Sequence, residues 1–236
     1  MRDLKLPVTV PAALALASLA CLPLAASAQS GSEGLSYTFL EADYINVDVD
    51  SPGENVFEDF DDGDGWAVRG SLGFLERFFL FADYSVTDSD ATVLDEGQVL
   101  VSSSQDLKRF DIGLGMNLRF DPPVIGESDL VLSAAYVDQD FDDFNFGGSD
   151  DPDVEDLNDD SSDGYFLDAR VRSQLLPWLE GSLGARYTDI EDADDFSAVG
   201  GVLVELTQNL GVNLEFQTGS DTGFYLAGLR WSFMPR

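Results

Sequence analysis

The sequence has no histidine and only one cysteine, Cys21. Histidine is the commonest acid or base of hydrolytic enzymes because its pKa lies near neutrality. Its absence removes Ser-His-Asp catalysis and histidine-ligated zinc, and leaves paired carboxylates as the remaining enzymatic chemistry. We therefore predict a protein that is not an enzyme, with no catalytic residues, no cofactor and no dedicated metal site.

Basic residues are scarce, with 12 lysines and arginines against 45 aspartates and glutamates and a formal net charge of −33. A chain this acidic repels nucleic acid, so nucleic acid is not an expected partner. Dense acidic stretches such as residues 150–160 can bind Ca²⁺ or Mg²⁺ through oxygen ligands, or can simply keep a surface hydrated. Neither this stretch nor the Gly63-Asp64-Gly65 region has EF-hand spacing, so both interpretations stay open.

Long apolar runs are absent except near the beginning, where residues 6–28 carry no charge. Arg2 and Lys5 precede this run, and Ala26-Ser27-Ala28 closes it with the small-x-small pattern that signal peptidase cuts. We predict a signal peptide over residues 1–28 and a single mature domain over residues 29–236. An uncleaved helical anchor is the alternative, and the three prolines within the run argue against it.

After residue 28 the hydropathy alternates with a period of two in ten short segments. The clearest is residues 110–120, where Ile112, Leu114 and Met116 alternate with Asp111 and Gly113. The apolar phase contains no charged residue in any segment. The opposite phase contains Glu41, Asp43, Arg69, Asp83, Asp111, Arg119, Asp168, Arg170, Arg172, Glu180, Arg186, Glu205, Glu215 and Arg230.

This distribution of charge favours a membrane barrel over a soluble sheet. Lipid excludes charge from the outer face of such a barrel, whereas its inner face can be polar. We predict an all-β fold, an antiparallel up-and-down transmembrane β-barrel of ten strands, or of eight if two weak segments are miscounted. The fourteen charged residues would then line the lumen, where six arginines and eight acids either form a salt-bridged plug or border a small aqueous path. Because small barrels are filled by side chains, we favour the plug.

The ends of the segments suggest an orientation. Odd segments close and even segments open on an aromatic residue, as at Tyr44, Trp66, Tyr84 and Phe110, which predicts an aromatic girdle at one rim. The links on that side are mostly long and acidic, including residues 87–106 and 189–195, and the links on the other side are short. Both termini would lie on the short-link, periplasmic side.

The chain resembles the small outer-membrane β-barrel superfamily of Gram-negative bacteria, including porin-like and OmpA-type barrel domains without a periplasmic domain. Its tail, Gly228-Leu229-Arg230-Trp231-Ser232-Phe233, is similar to the terminal signal read by the barrel-assembly machinery. Leu226 and the extension after Phe233 depart from that signal. The resemblance implies a monomer in the outer membrane, in contact with lipid and lipopolysaccharide, with Gly228, Trp231 and Phe233 as assembly residues.

These features predict a structural or surface-interaction role through acidic extracellular loops. A narrow channel for small solutes, cationic ones among them, is one alternative. A soluble periplasmic or secreted barrel of lipocalin type is the other.

Overall fold

The computed structural model describes residues 35–49, 58–60, 63–95, 98–122, 126–142, 160–191, 193–219 and 222–233. The predicted signal peptide and almost all of the acidic stretch 150–160 lie outside these ranges. No helix in the described ranges is long and apolar enough to cross a membrane. The strands are β1 (Phe39–Val49), β2 (Glu58–Phe60), β3 (Gly63–Phe74), β4 (Phe78–Asp95), β5 (Gln98–Phe120), β6 (Ser128–Asp142), β7 (Asp160–Leu176), β8 (Leu179–Ile190), β9 (Ala193–Glu205), β10 (Leu210–Thr218) and β11 (Thr222–Ser232).

Ten of these strands close into a barrel. Each of β1 and β3 to β11 pairs antiparallel with the next along the chain, and β11 returns to β1 in a register that runs from Phe39↔Ser232 to Val49↔Thr222. The three-residue β2 pairs only with the far end of β4. Closure gives every barrel strand two hydrogen-bonded neighbours, as lipid requires. The predicted ten-stranded antiparallel barrel is confirmed.

The apolar phase of the strands faces outward. In β5, Leu114 is 48% exposed, whereas Asp111 and Asn117 of the opposite phase are each 7% exposed. From Phe110 to Phe120 this strand extends roughly 33 Å, or about 25 Å along the barrel axis at the usual tilt. An apolar band of about 25 Å is the height that an outer membrane accommodates.

Aromatic side chains gather at both ends of this band. Tyr44, Trp66 and Tyr136 are exposed near one rim, and Phe78, Trp178 and Trp231 are exposed near the other. The expectation of a single girdle is therefore wrong. Both faces of a bilayer have an interfacial layer that favours amphipathic rings, and the second girdle lies at the short turns.

Two of the links expected to be long are mostly strand. β4 continues to Asp95 and β5 begins at Gln98, so most of residues 87–106 form an extended hairpin, with Val93 paired to Val101. Only residues 191 and 192 separate β8 from β9. These stretches are rich in Asp, Ser and Thr and show no sustained alternation of apolar and polar residues, which is why they suggest loops in the sequence. Beyond the aromatic rim no lipid contacts the strands, so apolar and polar residues need not alternate there. The strands continue to pair without that alternation.

The turn between β3 and β4 places two ordinary residues in the left-handed region, Leu75 at φ 50° and Glu76 at φ 62°. A side chain in this region costs on the order of 1 kcal/mol, and Gly and Asn are the residues that adopt it most readily. We predict that the double change Leu75→Asn and Glu76→Gly raises the free energy of unfolding by about 1 kcal/mol, measured by urea titration in detergent micelles. Arg77→Gly is the matched control, since Arg77 lies in the same turn without a positive φ. It should lower stability, and a gain equal to that of the double change would contradict the explanation.

Candidate functional site: the barrel lumen

A chain of ion pairs begins on β1 and β3 and enters the lumen. Glu41, only 1% exposed, accepts a hydrogen bond from Arg230 and a second from the Asn213 amide at 3.1 Å. Arg69 lies 3.6 Å from the same carboxylate, measured from Nη1 to Oε1, and donates through Nε to Asp83 at 2.8 Å. A buried charge is tolerated only when it is paired and hydrogen-bonded, and Glu41 meets both conditions.

The chain then crosses the lumen. Arg69 Nη1 donates to Glu215 Oε2 at 3.1 Å, and Arg170 Nη1 lies 3.6 Å from that same oxygen. Arg69 is on β3 and Arg170 on β7, which are four strands apart around the barrel in one direction and six in the other. These three side chains, Arg69, Glu215 and Arg170, therefore join nearly opposite walls, and we call them the lumen bridge.

On the far wall the pairing continues. Arg170 donates to both oxygens of Asp168, at 2.8 Å and 2.7 Å, and Arg186 donates to Asp168 at 3.3 Å and to the Gln217 side chain at 3.1 Å. The Arg186 guanidinium also lies over the Phe166 ring, 4.1 Å from its centroid. Asp168 is thus shared by two arginines and held in one position.

A second group closes the end of the barrel that carries both described termini. Residues 35–38, which precede β1, turn into the lumen, and Tyr37 donates its hydroxyl hydrogen to Asp129 at 2.8 Å. The Tyr37 ring lies between Phe79, with centroids 5.0 Å apart, and the Arg172 guanidinium, 4.6 Å from the ring centroid. Arg172 donates in turn to Glu180 at 2.7 Å. We call this group, Tyr37, Phe79, Asp129, Arg172 and Glu180, the mouth cluster.

Other predicted residues lie at the edges of these groups. Arg119 of β5 is 3.6 Å from Asp129, and Asp111 is paired in a bidentate manner with Arg109, at 2.9 Å and 3.1 Å. Glu205, at the end of β9, lies near the mouth among Arg172, Glu180 and Arg230. The inward phase therefore carries all fourteen predicted charges, and five of them, Arg69, Arg170, Glu215, Arg172 and Glu180, belong to the bridge and the mouth cluster.

Asp43 is different, since it is 4% exposed and neither of its carboxylate oxygens has a hydrogen-bond partner among the described residues. The carboxylate lies against Gly228 of β11, where an added Cβ would come within 2.1 Å of Asp43 Oδ1. Gly228 is thus the one residue of the predicted assembly signal that faces the lumen. Trp231 and Phe233, the other two, are exposed on the outside.

The predicted set of lumen residues does not include Tyr37, Arg109 and Asp129. Arg109 stands two residues before Asp111, and Asp129 two residues before the buried Val131, so the period of two extends to both. Each of these two directly precedes the first apolar residue of its segment, so the apolar alternation alone does not identify it. Tyr37 precedes β1 and belongs to no strand, so no periodic signal marks it.

The lumen wall is less polar than the sequence suggests. Phe79 and Phe81 face inward from β4, and their rings lie over Gly115 and Gly113 of β5, where an added Cβ would come within 2.0 Å and 2.4 Å of ring carbons. Phe81 also packs near Phe166, with centroids 6.0 Å apart. Aromatic rings therefore line part of the lumen wall, over the same two strands that carry Asp83 and the Arg109–Asp111 ion pair.

Metal binding receives no support inside the described ranges, which contain no group of three or more acidic or cysteine side chains that could hold a metal ion. The stretch 150–159 lies outside these ranges. Binding of Ca²⁺ or Mg²⁺ by the acidic loops stays a prediction.

A closed barrel with a charge-free apolar exterior, an aromatic girdle at each rim and ionic side chains inside is an integral outer-membrane β-barrel. No protein-family model matches the chain, and no curated protein matches its sequence. Solved structures of similar shape include the outer membrane protein OprG of Pseudomonas aeruginosa, at 10% identity over 85% of this chain and 98% of that chain, with a TM-score of 0.46.

The beta domain of the Bordetella autotransporter BrkA is 11% identical over 84% of this chain and 100% of that chain, with a TM-score of 0.48. Neisserial surface protein A is 17% identical over 85% of this chain and 99% of that chain, with a TM-score of 0.35. These likenesses are distant, and the class of the protein follows from the barrel geometry itself.

Because the ion pairs differ in burial, we predict that removing one charge lowers the free energy of unfolding by different amounts at different sites. Glu41→Gln leaves the buried Arg230 without the carboxylate it is paired with, which should lower the free energy of unfolding by about 3 to 5 kcal/mol. Arg119→Gln, at a side chain that is 38% exposed, should cost less than about 1 kcal/mol. Urea unfolding of both variants in the same micelles measures the difference, and similar losses would contradict the assignment of Glu41 to a buried network.

Proposed function

We propose that the protein is a sealed, non-enzymatic outer-membrane barrel that acts through its surfaces, either as structural support or as a contact site on its acidic extracellular side. The observation that carries this proposal is the lumen bridge. Arg69, Glu215 and Arg170 span the interior at hydrogen-bonding and ion-pair distances, so a solute has no straight path between the walls they join.

The energetics of the interior support a sealed barrel. A path for solutes requires the bridge to open, and each buried charge then loses its partner at a cost of about 3 to 5 kcal/mol. The mouth cluster adds a second closure, since Tyr37 is held on its two faces by Phe79 and Arg172 and at its hydroxyl by Asp129. Two independent closures in series favour a plug over an open pore.

The extracellular rim supports a role at the surface. Asp64, Asp88 and Asp106 stand directly opposite one another on β3, β4 and β5, an arrangement in which like charges repel. A row of opposed carboxylates attracts cations and basic partners. Because no group in the described ranges is placed to hold a metal ion, the contact that we propose for this rim is a basic surface of a partner, and the Ca²⁺ and Mg²⁺ prediction stays with the acidic stretch outside those ranges.

The alternatives have less support. The narrow channel is favoured by one observation, a cavity within the lumen of about 230 Å³, but its described lining includes both the bridge and the mouth cluster. A soluble lipocalin-type barrel would expose its outward phase to water, and that phase presents Leu183 and Phe196 at 66% and 70% exposure. The non-enzymatic part of the proposal rests on the lack of histidine in the sequence.

Planar-bilayer recording tests the sealed lumen. The native barrel should show no steady single-channel steps. A variant that replaces Arg69, Glu215, Arg170 and Tyr37 by alanine should conduct, because it removes the bridge and the aromatic closure together. Arg77→Ala, at an exposed turn, is the control and should stay silent. Steady steps from the native protein would overturn the proposal, and so would a silent quadruple variant that shows the heat-modifiable gel migration of a folded barrel.

A further inference from the structure

The lumen contains a cavity of about 230 Å³. On the side away from the described termini its lining includes the apolar side chains of Ile45, Leu107 and Leu226. Ile45 is four residues beyond Glu41 on β1, Leu226 is four residues from Arg230 on β11, and Leu107 is two residues from Arg109 on β5. The register therefore places these apolar side chains beyond the ion pairs, beside the polar Thr87 and Gln217, which also line the cavity.

Positive charge is concentrated around this cavity. Of the 12 lysines and arginines in the chain, Arg2 and Lys5 precede residue 29, which leaves ten. Six of these ten line the cavity, together with five of the many acids. The six are Arg69, Arg109, Arg170, Arg172, Arg186 and Arg230. The lining has one more positive than negative group, which the buried Glu41 behind Arg69 and Arg230 balances, in a protein of net charge −33.

The arginines are mostly the more exposed members of these ion pairs. The side chains of Arg69, Arg109, Arg170 and Arg186 keep 15 to 20% exposure inside the barrel. Among their acidic partners the exposure is 0% for Glu41, 1% for Asp168, 10% for Asp111, 11% for Glu215 and 22% for Asp83. Six arginine side chains and hydrocarbon therefore border the cavity beside carboxylates that, except for Asp83, are more deeply buried.

We propose that this cavity is a binding site for a small carboxylate with an apolar body. A guanidinium binds a carboxylate through charge-assisted, often paired hydrogen bonds. The apolar body would lie against Leu107, Leu226 and the rings of Phe81 and Phe224, which also line the cavity. A few placed polar groups within a largely apolar concave surface are the usual form of a small-molecule site. The site goes beyond the proposed function and does not depend on whether the lumen conducts.

Isothermal titration of the refolded barrel with benzoate tests the proposal, with benzamide as the neutral probe of the same shape and acetate as the charged probe without an apolar body. We expect saturable benzoate binding, at least tenfold tighter than that of benzamide or acetate. Equal binding of benzoate and benzamide, or no benzoate binding at millimolar concentration, would overturn the proposal.

Variants locate the binding. Arg109→Gln combined with Asp111→Asn removes one cavity-facing ion pair without leaving a buried charge, and should weaken benzoate binding at least tenfold. Arg119→Gln removes a charge from the same strand at a residue outside the cavity lining and should leave binding unchanged. Both variants must show the heat-modifiable migration of the native barrel. If folding of the double variant fails, Arg109→Lys replaces it, with a loss of at least threefold expected because lysine cannot make the paired contact. A loss in Arg119→Gln that matches the cavity variant would contradict the proposed site.

Discussion

The exclusion of charge from the lipid-facing surface determines most of this structure. Between the two aromatic rims the outward phase of the strands holds none, so every charge on that part of the strands lies inside a narrow barrel. An interior of this kind is tolerable only if the charges are paired, because an isolated ion in a low-dielectric site is far more costly than a pair. The ten-strand circumference brings side chains from nearly opposite walls within reach, and the lumen bridge is the result.

The same constraint determines how ion pairs and aromatic rings are distributed in the lumen. Acids on β1, β4, β7 and β10 are paired with arginines on β3, β7, β8 and β11, while β4 also contributes two rings that cover glycines of β5. At the end that carries the described termini, Tyr37 contacts both kinds of group, since its ring stacks on the Phe79 ring and lies under the Arg172 guanidinium. A segment that belongs to no strand thus completes the packing that the strands begin.

The barrel could be predicted from the sequence because lipid imposes a period of two on ten segments, from residues near Leu40 to those near Trp231. The inward position of Glu41, Arg69 or Glu215 follows from the same period. Their pairing does not, because the contact between Arg69 and Glu215 joins residues 146 apart in the chain and depends on barrel closure. The extended β4–β5 hairpin could not be predicted either, since strands that pair in water need no apolar phase. The lumen position of Tyr37 could not be predicted because it depends on tertiary contacts.

The central claim is that adjacent residues of one strand face lipid and lumen, and β6 offers a matched pair. Leu132 is exposed on the outside, and Ser133 lines the lumen cavity. A nitroxide attached to a cysteine at each site, one per variant and in lipid vesicles, reports its collisions with dissolved oxygen, which concentrates in hydrocarbon. The account predicts a high collision rate at Leu132→Cys and a low one at Ser133→Cys. Equal rates, or the reverse order, would contradict it.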